Sequence, residues 1–221
     1  MRSVKAIIFD MDGVLVDSEP FHIEIEKRMF RKMGLDVSDK EHAGYMGTAT
    51  DVMWRSIIEK RNLALDVDEL TRLTVQEGIP FFKSFEKIEP MPGLEKLLKR
   101  LLKAKIPMAV ASSSDAETVQ VITEKSGLRK YFRYAISSSE VGKSKPEPDV
   151  FLHAAKLLGE KPANCLVIED SKNGIKAAKA AGMFCVAYSG AAADSQDQTQ
   201  ADKIVSDYQE LEHLLSELIE T

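Results

Sequence analysis

The sequence predicts an α/β protein with a doubly wound parallel sheet, into which an α-helical bundle is inserted. Short apolar runs alternate with amphipathic helical segments along most of the 221 residues, which is the pattern of such a sheet. Almost a hundred residues separate the first apolar run, Ala6–Phe9, from the next convincing one at 106–111. A parallel crossover takes only about 30 residues together with its strands. The excess has helical periodicity and therefore indicates an inserted unit.

The inserted unit is expected to contain three helices. Apolar side chains recur at helical spacing from residue 19 to residue 33. Thr50 or Asp51 is placed to cap a second helix. A third helix is expected over about 67 to 86, where Pro80 should kink or break it.

The chain is predicted to leave the sheet-containing part once and to return once. The helical bundle is expected over 17–87, which leaves 1–16 and 88–221 to the sheet. The return is marked at 89–94, where two prolines and a glycine suit a stiff linker. Further strands are expected at 134–137, 165–169, 183–188 and 203–205, with helices between them.

Composition excludes several classes of function. The net charge is −5, whereas a nucleic-acid-binding protein is expected to carry a basic patch. No segment approaches the roughly 20 apolar residues of a membrane span. Asp10 and Asp12 interrupt the apolar run near the N-terminus, so it does not resemble a signal peptide. Cys165 and Cys185 lie in apolar runs and are expected to be buried thiols. We therefore expect a cytoplasmic monomer that binds neither nucleic acid nor membrane.

The candidate functional residues follow the predicted strands, at the point where each strand ends. In a doubly wound sheet the carboxyl ends of the strands meet at one crevice, where such folds bind their ligands. The acids, hydroxyls and lysines at these ends are Asp10, Asp12, Ser112, Ser113, Ser114, Lys143, Lys145, Glu169 and Asp170. Such groups on four separate strand ends predict a single site.

This combination fits the transfer of a phosphoryl group to a carboxylate. A carboxylate that approaches a phosphate dianion is repelled, so a divalent cation is needed to neutralise the oxygens. Mg²⁺ prefers oxygen ligands and usually takes only one or two carboxylates beside phosphate and water. Asp10 and Asp170 are the expected ligands, with Glu169 as a further or water-bridged partner. Asp12 is then free to act as general acid and base.

Four segments resemble the four motifs of the haloacid dehalogenase superfamily and occur in the same order. They are FDMDGVLVDSEP, the serine after MAVA, KSKPEPDVF and VIEDSKNG, and they cover nearly the whole chain. The helical insertion after the first segment resembles the cap of the β-phosphoglucomutase-like group. The resemblance implies an enzyme with a Rossmann-like catalytic core and a helical cap domain.

The resemblance also implies a role for each acid of the predicted site. Asp10 is implied as the nucleophile, with its carboxylate on Mg²⁺. Asp12 is implied as the acid and base, with its backbone carbonyl on the same ion. Asp170 is implied to complete the metal site, assisted by Glu169.

Phosphate binding is implied for Ser112, with its neighbour Ser113, and for a lysine of the third motif. Lys143 and Lys145 both stand in that motif. We prefer Lys145 because it directly precedes a proline, as the lysine does in the superfamily.

The expected reaction is hydrolysis of small phosphorylated metabolites, with sugar phosphates as the favoured class, through a phospho-aspartate. The alternative is a mutase of the β-phosphoglucomutase type. The family pattern of these mutases includes an arginine in the cap loop that binds the distal phosphate of a bisphosphate intermediate. Thr50 stands at the corresponding position here. Threonine cannot make the charge-assisted, bidentate contact that arginine makes with a phosphate, so we prefer the phosphatase. His22 resembles a cap histidine of sugar-phosphate isomerising members and, with Thr50, is a candidate substrate contact. A phosphate-accepting signalling module that resembles a response-regulator receiver is a remote alternative. Receiver domains are about half as long as this chain and lack the helical insertion.

Overall fold

A computed structural model describes residues 4–45, 50–190 and 196–219 of the chain. The strands in these ranges are β1 (Ala6–Phe9), β2 (Met108–Ser112), β3 (Tyr134–Ser137), β4 (Cys165–Glu169), β5 (Phe184–Tyr188) and β6 (Lys203–Val205). They form one parallel sheet in the order β3-β2-β1-β4-β5-β6. The predicted doubly wound sheet is therefore confirmed.

Helices connect most of the strands. In the described ranges they are α1 (Glu19–Lys32), α2 (Asp39–Ala43), α3 (Thr50–Arg61), α4 (Val67–Ser84), α5 (Leu94–Lys103), α6 (Ala116–Lys125), α7 (Asp149–Leu158), α8 (Lys172–Ala180) and α9 (Tyr208–Leu218). None of these helices combines the length and the apolar character needed to cross a membrane.

The strand order reverses between β1 and β4, which makes the carboxyl ends of these two strands the switch point of the sheet. Phe9 of β1 lies opposite Ile168 of β4 in the ladder. The residues that follow them, Asp10 and Glu169, are both acidic and both buried. The register thus brings two carboxylates side by side at the place where such folds bind ligands.

The chain divides into two compact units. One consists of Met1–Asp17 and Glu86–Thr221 and contains the sheet, and the other is the helical Ser18–Phe85. The boundaries predicted from the sequence lie one or two residues away from this division. The role of the helical unit as a cap stays a prediction.

One face of the sheet is covered by α7 and α8, and small side chains on the strands let these helices approach closely. The strand residues of this cluster include Ala6, Ala109, Ala111 and Ala187. Phe151 of α7 and Ile175 of α8 are fully buried against them. The same cluster contains Cys165 and Cys185, which are buried free thiols as predicted.

The helical unit is built around Trp54, which is fully buried among apolar residues of α1, α3 and α4. The ring of Phe30 meets the indole edge-to-face at a centroid distance of 5.5 Å. The indole N–H of Trp54 donates to Thr74 Oγ1 at 2.9 Å, so the polar atom of this side chain is satisfied inside the core.

Two expectations for the helical unit are wrong. His42 belongs to no motif and to none of the predicted helices, which favours a surface position, but it is buried, with Nε2 2.6 Å from Glu26 Oε2 and its ring against Phe30. Its helix α2 was not predicted, because five residues are too few to show a period. Thr50 and Asp51 lie inside α3 rather than at its cap.

Pro80 does not break the third predicted helix, since α4 runs from Val67 to Ser84 with the proline inside it. The aromatic side chains that follow the proline pack together. The ring centroid of Phe21 lies 6.3 Å from that of Phe81, 5.7 Å from that of Phe82 and 5.0 Å from that of Phe85. These contacts pack the turn that follows the proline against α1.

Replacing Thr74 by valine should lower the free energy of unfolding by about 1–3 kcal/mol, because the buried N–H of Trp54 would lose its acceptor. Thr71→Val is a matched control. Both hydroxyls donate to the carbonyl four residues earlier in α4, but the one on Thr74 also accepts from Trp54. Urea unfolding of both variants isolates the indole bond. Equal losses in the two variants would contradict this account.

Candidate active site

Asp10 is the first polar residue after the buried strand β1. Its backbone N–H donates to Ile168 O at 2.9 Å, which continues the pairing with β4. Its side chain is buried, and Oδ1 accepts a hydrogen bond from Lys145 Nζ. A buried carboxylate is thus fixed at the switch point by the strand on one side and by a lysine on the other.

A tight turn follows Asp10, and it requires glycine at position 13. Gly13 has a φ of 74°, which other residues seldom adopt. A Cβ on Gly13 would also lie 2.1 Å from Asp170 Oδ2. The missing side chain therefore lets the carboxylate of Asp170 rest against the loop that carries Asp10.

The carboxylates of Asp10, Glu169 and Asp170 form one cluster, with an oxygen of each within 4.8 Å of the others. Glu169 is held on two sides. Its Oε1 accepts from Lys145 Nζ at 2.8 Å, and its Oε2 accepts from the backbone N–H and hydroxyl of Ser171 at 2.7 and 3.0 Å. Gly174 leaves the space for this carboxylate, since a Cβ there would lie 1.6 Å from Glu169 Oε1.

Lys145 joins this cluster to β2. Its Nζ donates to Asp10 and Glu169, and at 3.0 Å to the carbonyl of Ala111, so three acceptors surround the ammonium group. The side chain is 4% exposed and its Nζ lies 4.8 Å from the centre of the Phe151 ring. Lys143, the competing lysine, is exposed. The structure therefore brings Lys145 to the acids, as the sequence analysis preferred.

Burial and mutual repulsion change the charges of this cluster. Burial, together with the charge of Glu169, raises the pKa of Asp10 to about 8 although Lys145 opposes the shift. Burial and the charges of Glu169 and Asp10 raise the pKa of Asp170 to about 9. Burial alone would lower the pKa of Lys145, but the charges of Asp10 and Glu169 raise it instead. When all three carboxylates are ionised they outnumber the one ammonium, so a divalent cation that displaces their protons would balance the charge.

Asp12 faces two serine hydroxyls that follow β2. Its Oδ2 accepts from Ser114 Oγ at 2.9 Å and from Ser112 Oγ at 3.3 Å. Ser112 is fully buried, and its Oγ also accepts from the N–H of Ser114 at 3.0 Å. The contact between Asp12 and Ser114 was not predicted, although the run of three serines was noted.

The remaining predicted residues lie further from the carboxylate cluster or in the other unit. Ser113 is exposed, and its Oγ accepts from Ser144 Oγ at 3.0 Å. His22 and Thr50 belong to the helical unit, where the ring of His22 meets Phe82 edge-to-face at 6.1 Å. Their contact with substrate stays a prediction. Residues 46–49, which precede Thr50, lie outside the described residues.

A family comparison agrees with this geometry. The model of the haloacid dehalogenase-like hydrolase family matches residues 4–182. The chain belongs to this family. The match spans both carboxylate loops and Lys145, so the resemblance stated from the four motifs is confirmed.

Individual members of the haloacid dehalogenase-like family are also similar. The bifunctional riboflavin kinase/FMN phosphatase of Arabidopsis thaliana is 32% identical over 91% of this chain and 53% of that protein, so the chain spans about half of that relative's length. The fructose-1-phosphate phosphatase YqaB of Escherichia coli (strain K12) is 32% identical over 81% of this chain and 94% of that protein. The structure of a putative β-phosphoglucomutase from Thermotoga maritima matches with a TM-score of 0.76 and 25% identity, over 98% of this chain and 100% of that one.

The raised pKa values predict that divalent-cation affinity increases with pH. Below about pH 8 the carboxyl of Asp10 carries a proton in the metal-free protein, and the pKa of Asp170 is higher still. A cation must displace these protons, so affinity should rise by about tenfold per pH unit for each proton displaced and level off above the raised pKa values. Calorimetric titration with Mg²⁺ at about pH 6, 7 and 8 measures this slope. Equal affinities across that range would contradict it.

Proposed function

We propose that this protein is a Mg²⁺-dependent phosphatase that hydrolyses small phosphorylated metabolites through a phosphorylated Asp10. The observation that carries the proposal is the buried carboxylate of Asp10, which lies between Lys145 and the acidic pair Glu169 and Asp170. A nucleophile for phosphorus has to be anionic, and the phosphate it attacks is anionic too. Cationic groups beside both are what allows the two to approach.

In the first step one carboxylate oxygen of Asp10 forms a bond to phosphorus while the bond from phosphorus to the leaving oxygen breaks. Asp12 gives its proton to that leaving oxygen as general acid. The hydrogen bonds that Asp12 Oδ2 accepts from Ser112 and Ser114 support this assignment, because they hold the carboxyl group in one orientation beside the loop of Asp10.

In the second step a water molecule attacks phosphorus and Asp12, now a carboxylate, takes its proton. The bond between phosphorus and the Asp10 oxygen breaks, which releases inorganic phosphate and restores the Asp10 carboxylate. Asp12 thus ends the cycle protonated, as it began.

The site residues fit Mg²⁺. The proposed ligands are the carboxylates of Asp10 and Asp170 and the backbone carbonyl of Asp12, with Glu169 beside them. Bound there, the ion would neutralise the phosphate oxygens. Mg²⁺ prefers oxygen ligands, and the three acids of the cluster offer only oxygen atoms.

Phosphate binding is assigned to Ser112, Ser113 and Lys145. Lys145 carries a buried positive charge that contacts the nucleophile directly, so a phosphate that reaches Asp10 comes close to its ammonium group. Ser112 is the last residue of β2, so its hydroxyl lies at the carboxyl ends of the strands, as Asp10 does. Ser113 follows as an exposed residue that adds a hydroxyl and a backbone N–H.

Small sugar phosphates are the proposed substrates. The Arabidopsis and Escherichia coli relatives are named for FMN and fructose 1-phosphate, both of which are phosphate monoesters. Thr50 replaces the arginine that mutases use for a second phosphate, which supports a substrate with one phosphate. His22 and Thr50 are proposed to contact the leaving group from the helical unit.

A cytoplasmic location is part of the proposal. Both cysteines are free, as expected for a protein kept in a reducing compartment. A monomeric state stays a prediction from the sequence.

Replacing Asp10 by asparagine should lower phosphate release by at least about a thousandfold, because the amide lacks the anionic oxygen that attacks phosphorus. Asp36→Asn, a change at an exposed aspartate between α1 and α2, is the matched control and should keep full activity. The measurement is phosphate release from a panel of sugar phosphates and nucleotides with Mg²⁺. Unchanged turnover in Asp10→Asn would show that the nucleophile is another residue.

The mutase alternative is favoured by the likeness to the Thermotoga maritima structure, and the same preparation tests it. A mutase would convert β-glucose 1-phosphate to glucose 6-phosphate and would be stimulated by the corresponding bisphosphate. A phosphatase would release inorganic phosphate and form no glucose 6-phosphate. Isomerisation without net phosphate release would replace the proposed function by the mutase.

A further inference from the structure

The polar segment after β5 touches the loop that carries Asp170. Residues 196–202 of this segment are described, and they lie beyond the 4–182 range that the family model matches. Three consecutive side chains, those of Gln196, Asp197 and Gln198, contact the backbone or side chains of residues 170–172. The sequence analysis assigned no role to this segment.

Gln198 makes the most buried of these contacts. Its side-chain Nε2 donates to the carbonyl of Asp170 at 2.7 Å and to the carbonyl of Tyr188 at 3.2 Å. Both partners are acceptors, so the nitrogen and not the oxygen of the amide must face them. The residue is 7% exposed, and its two N–H groups join the end of β5 to the loop after β4.

The two preceding residues hold the same loop two residues further on, at Lys172. Gln196 Oε1 accepts from the backbone N–H of Lys172 at 3.2 Å, at the start of α8. Asp197 Oδ2 lies 3.2 Å from Lys172 Nζ in an exposed ion pair, which is worth little by itself. The loop of Asp170 is therefore held at its first residue by a buried amide and at Lys172 by two weaker contacts.

Asp170 is confined on two sides, so its carboxylate and its backbone have little room to move. Its carboxylate rests against Gly13, where a Cβ would approach to 2.1 Å, so the loop that carries Asp10 closes one side. On the main-chain side, Gln198 holds the carbonyl of the same residue. A shift of this backbone would change the distance from the Asp170 carboxylate to those of Asp10 and Glu169.

We propose that Gln198 is a positioning residue that sets the divalent-cation affinity of the site by fixing the backbone of Asp170. The proposal rests on the proposed function, in which Asp170 is a ligand of Mg²⁺. Gln198 does not touch the cation or the substrate, so it acts through Asp170 alone. Groups that orient metal ligands in this way typically change metal affinity by about 10- to 100-fold when they are removed.

Gln198→Met tests the proposal, because methionine has a similar length and volume but no N–H to donate. The matched control is Gln200→Met, the same change at an exposed glutamine two residues along the same segment. Calorimetric titration with MgCl₂ should show a dissociation constant raised by about tenfold in Gln198→Met and unchanged in Gln200→Met.

Phosphate release as a function of Mg²⁺ concentration separates positioning from a general structural effect. In Gln198→Met the Mg²⁺ concentration for half-maximal activity should rise by the same factor, while kcat at saturating Mg²⁺ stays within about twofold of the wild type. Gln198→Leu, which also removes both N–H donors but has a shorter side chain, keeps the proposal testable if Gln198→Met does not fold. It should raise the Mg²⁺ dissociation constant by about tenfold as well.

The outcomes distinguish this proposal from the function on which it rests. If the wild type binds Mg²⁺ and releases phosphate but Gln198→Met, or Gln198→Leu in its place, binds Mg²⁺ as tightly, the positioning role is wrong and the proposed function stands. A loss of kcat at saturating Mg²⁺ with an unchanged dissociation constant would also overturn it. If the wild type itself does not bind Mg²⁺, the proposed function and the positioning role fall together.

Discussion

The buried ammonium group of Lys145 is the interaction on which the rest of the site depends. It donates to Asp10 and Glu169 and to the carbonyl of Ala111, and so connects β1, β2 and β4 at one point. Removing one partner from a buried ion pair costs about 3–5 kcal/mol, whereas replacing a whole pair by apolar groups is often neutral. A cluster of this kind therefore adds little stability that apolar packing would not. The cluster is therefore better explained by the proposed chemistry than by its contribution to stability.

Close packing of loops on the carboxylates gives the cluster its geometry. Gly13 and Gly174 leave the space in which the side chains of Asp170 and Glu169 lie, and Ser171 fixes the second oxygen of Glu169. The strands bring the acids to one edge of the sheet, and these loops set the distances between their carboxylates. Residues beyond the family match, Gln198 above all, complete the support from the outside.

The strand ends were predictable from sequence because each apolar run stops at a polar residue, and parallel strands direct their ends to one edge. Asp10, Glu169 and Asp170 could therefore be grouped before any geometry was known, whereas Lys145 was preferred over Lys143 only through the resemblance to the superfamily. The contact of Gln198 with Asp170 could not be predicted from the sequence. The two residues are 28 positions apart, and Gln198 lies in a segment without helical or strand periodicity. The burial of His42 was missed for a similar reason, because its partner Glu26 lies on another helix.

The central claim is that Asp10 carries the phosphoryl group during turnover. The most direct measurement is mass spectrometry of peptides from protein that is mixed with acetyl phosphate and Mg²⁺ and quenched in acid within milliseconds. The account predicts the mass of one phosphoryl group on the peptide that contains residues 6–27, with fragment ions that assign it to Asp10. Phosphorylation at another residue, or rapid phosphate release with no modified peptide, would contradict the account.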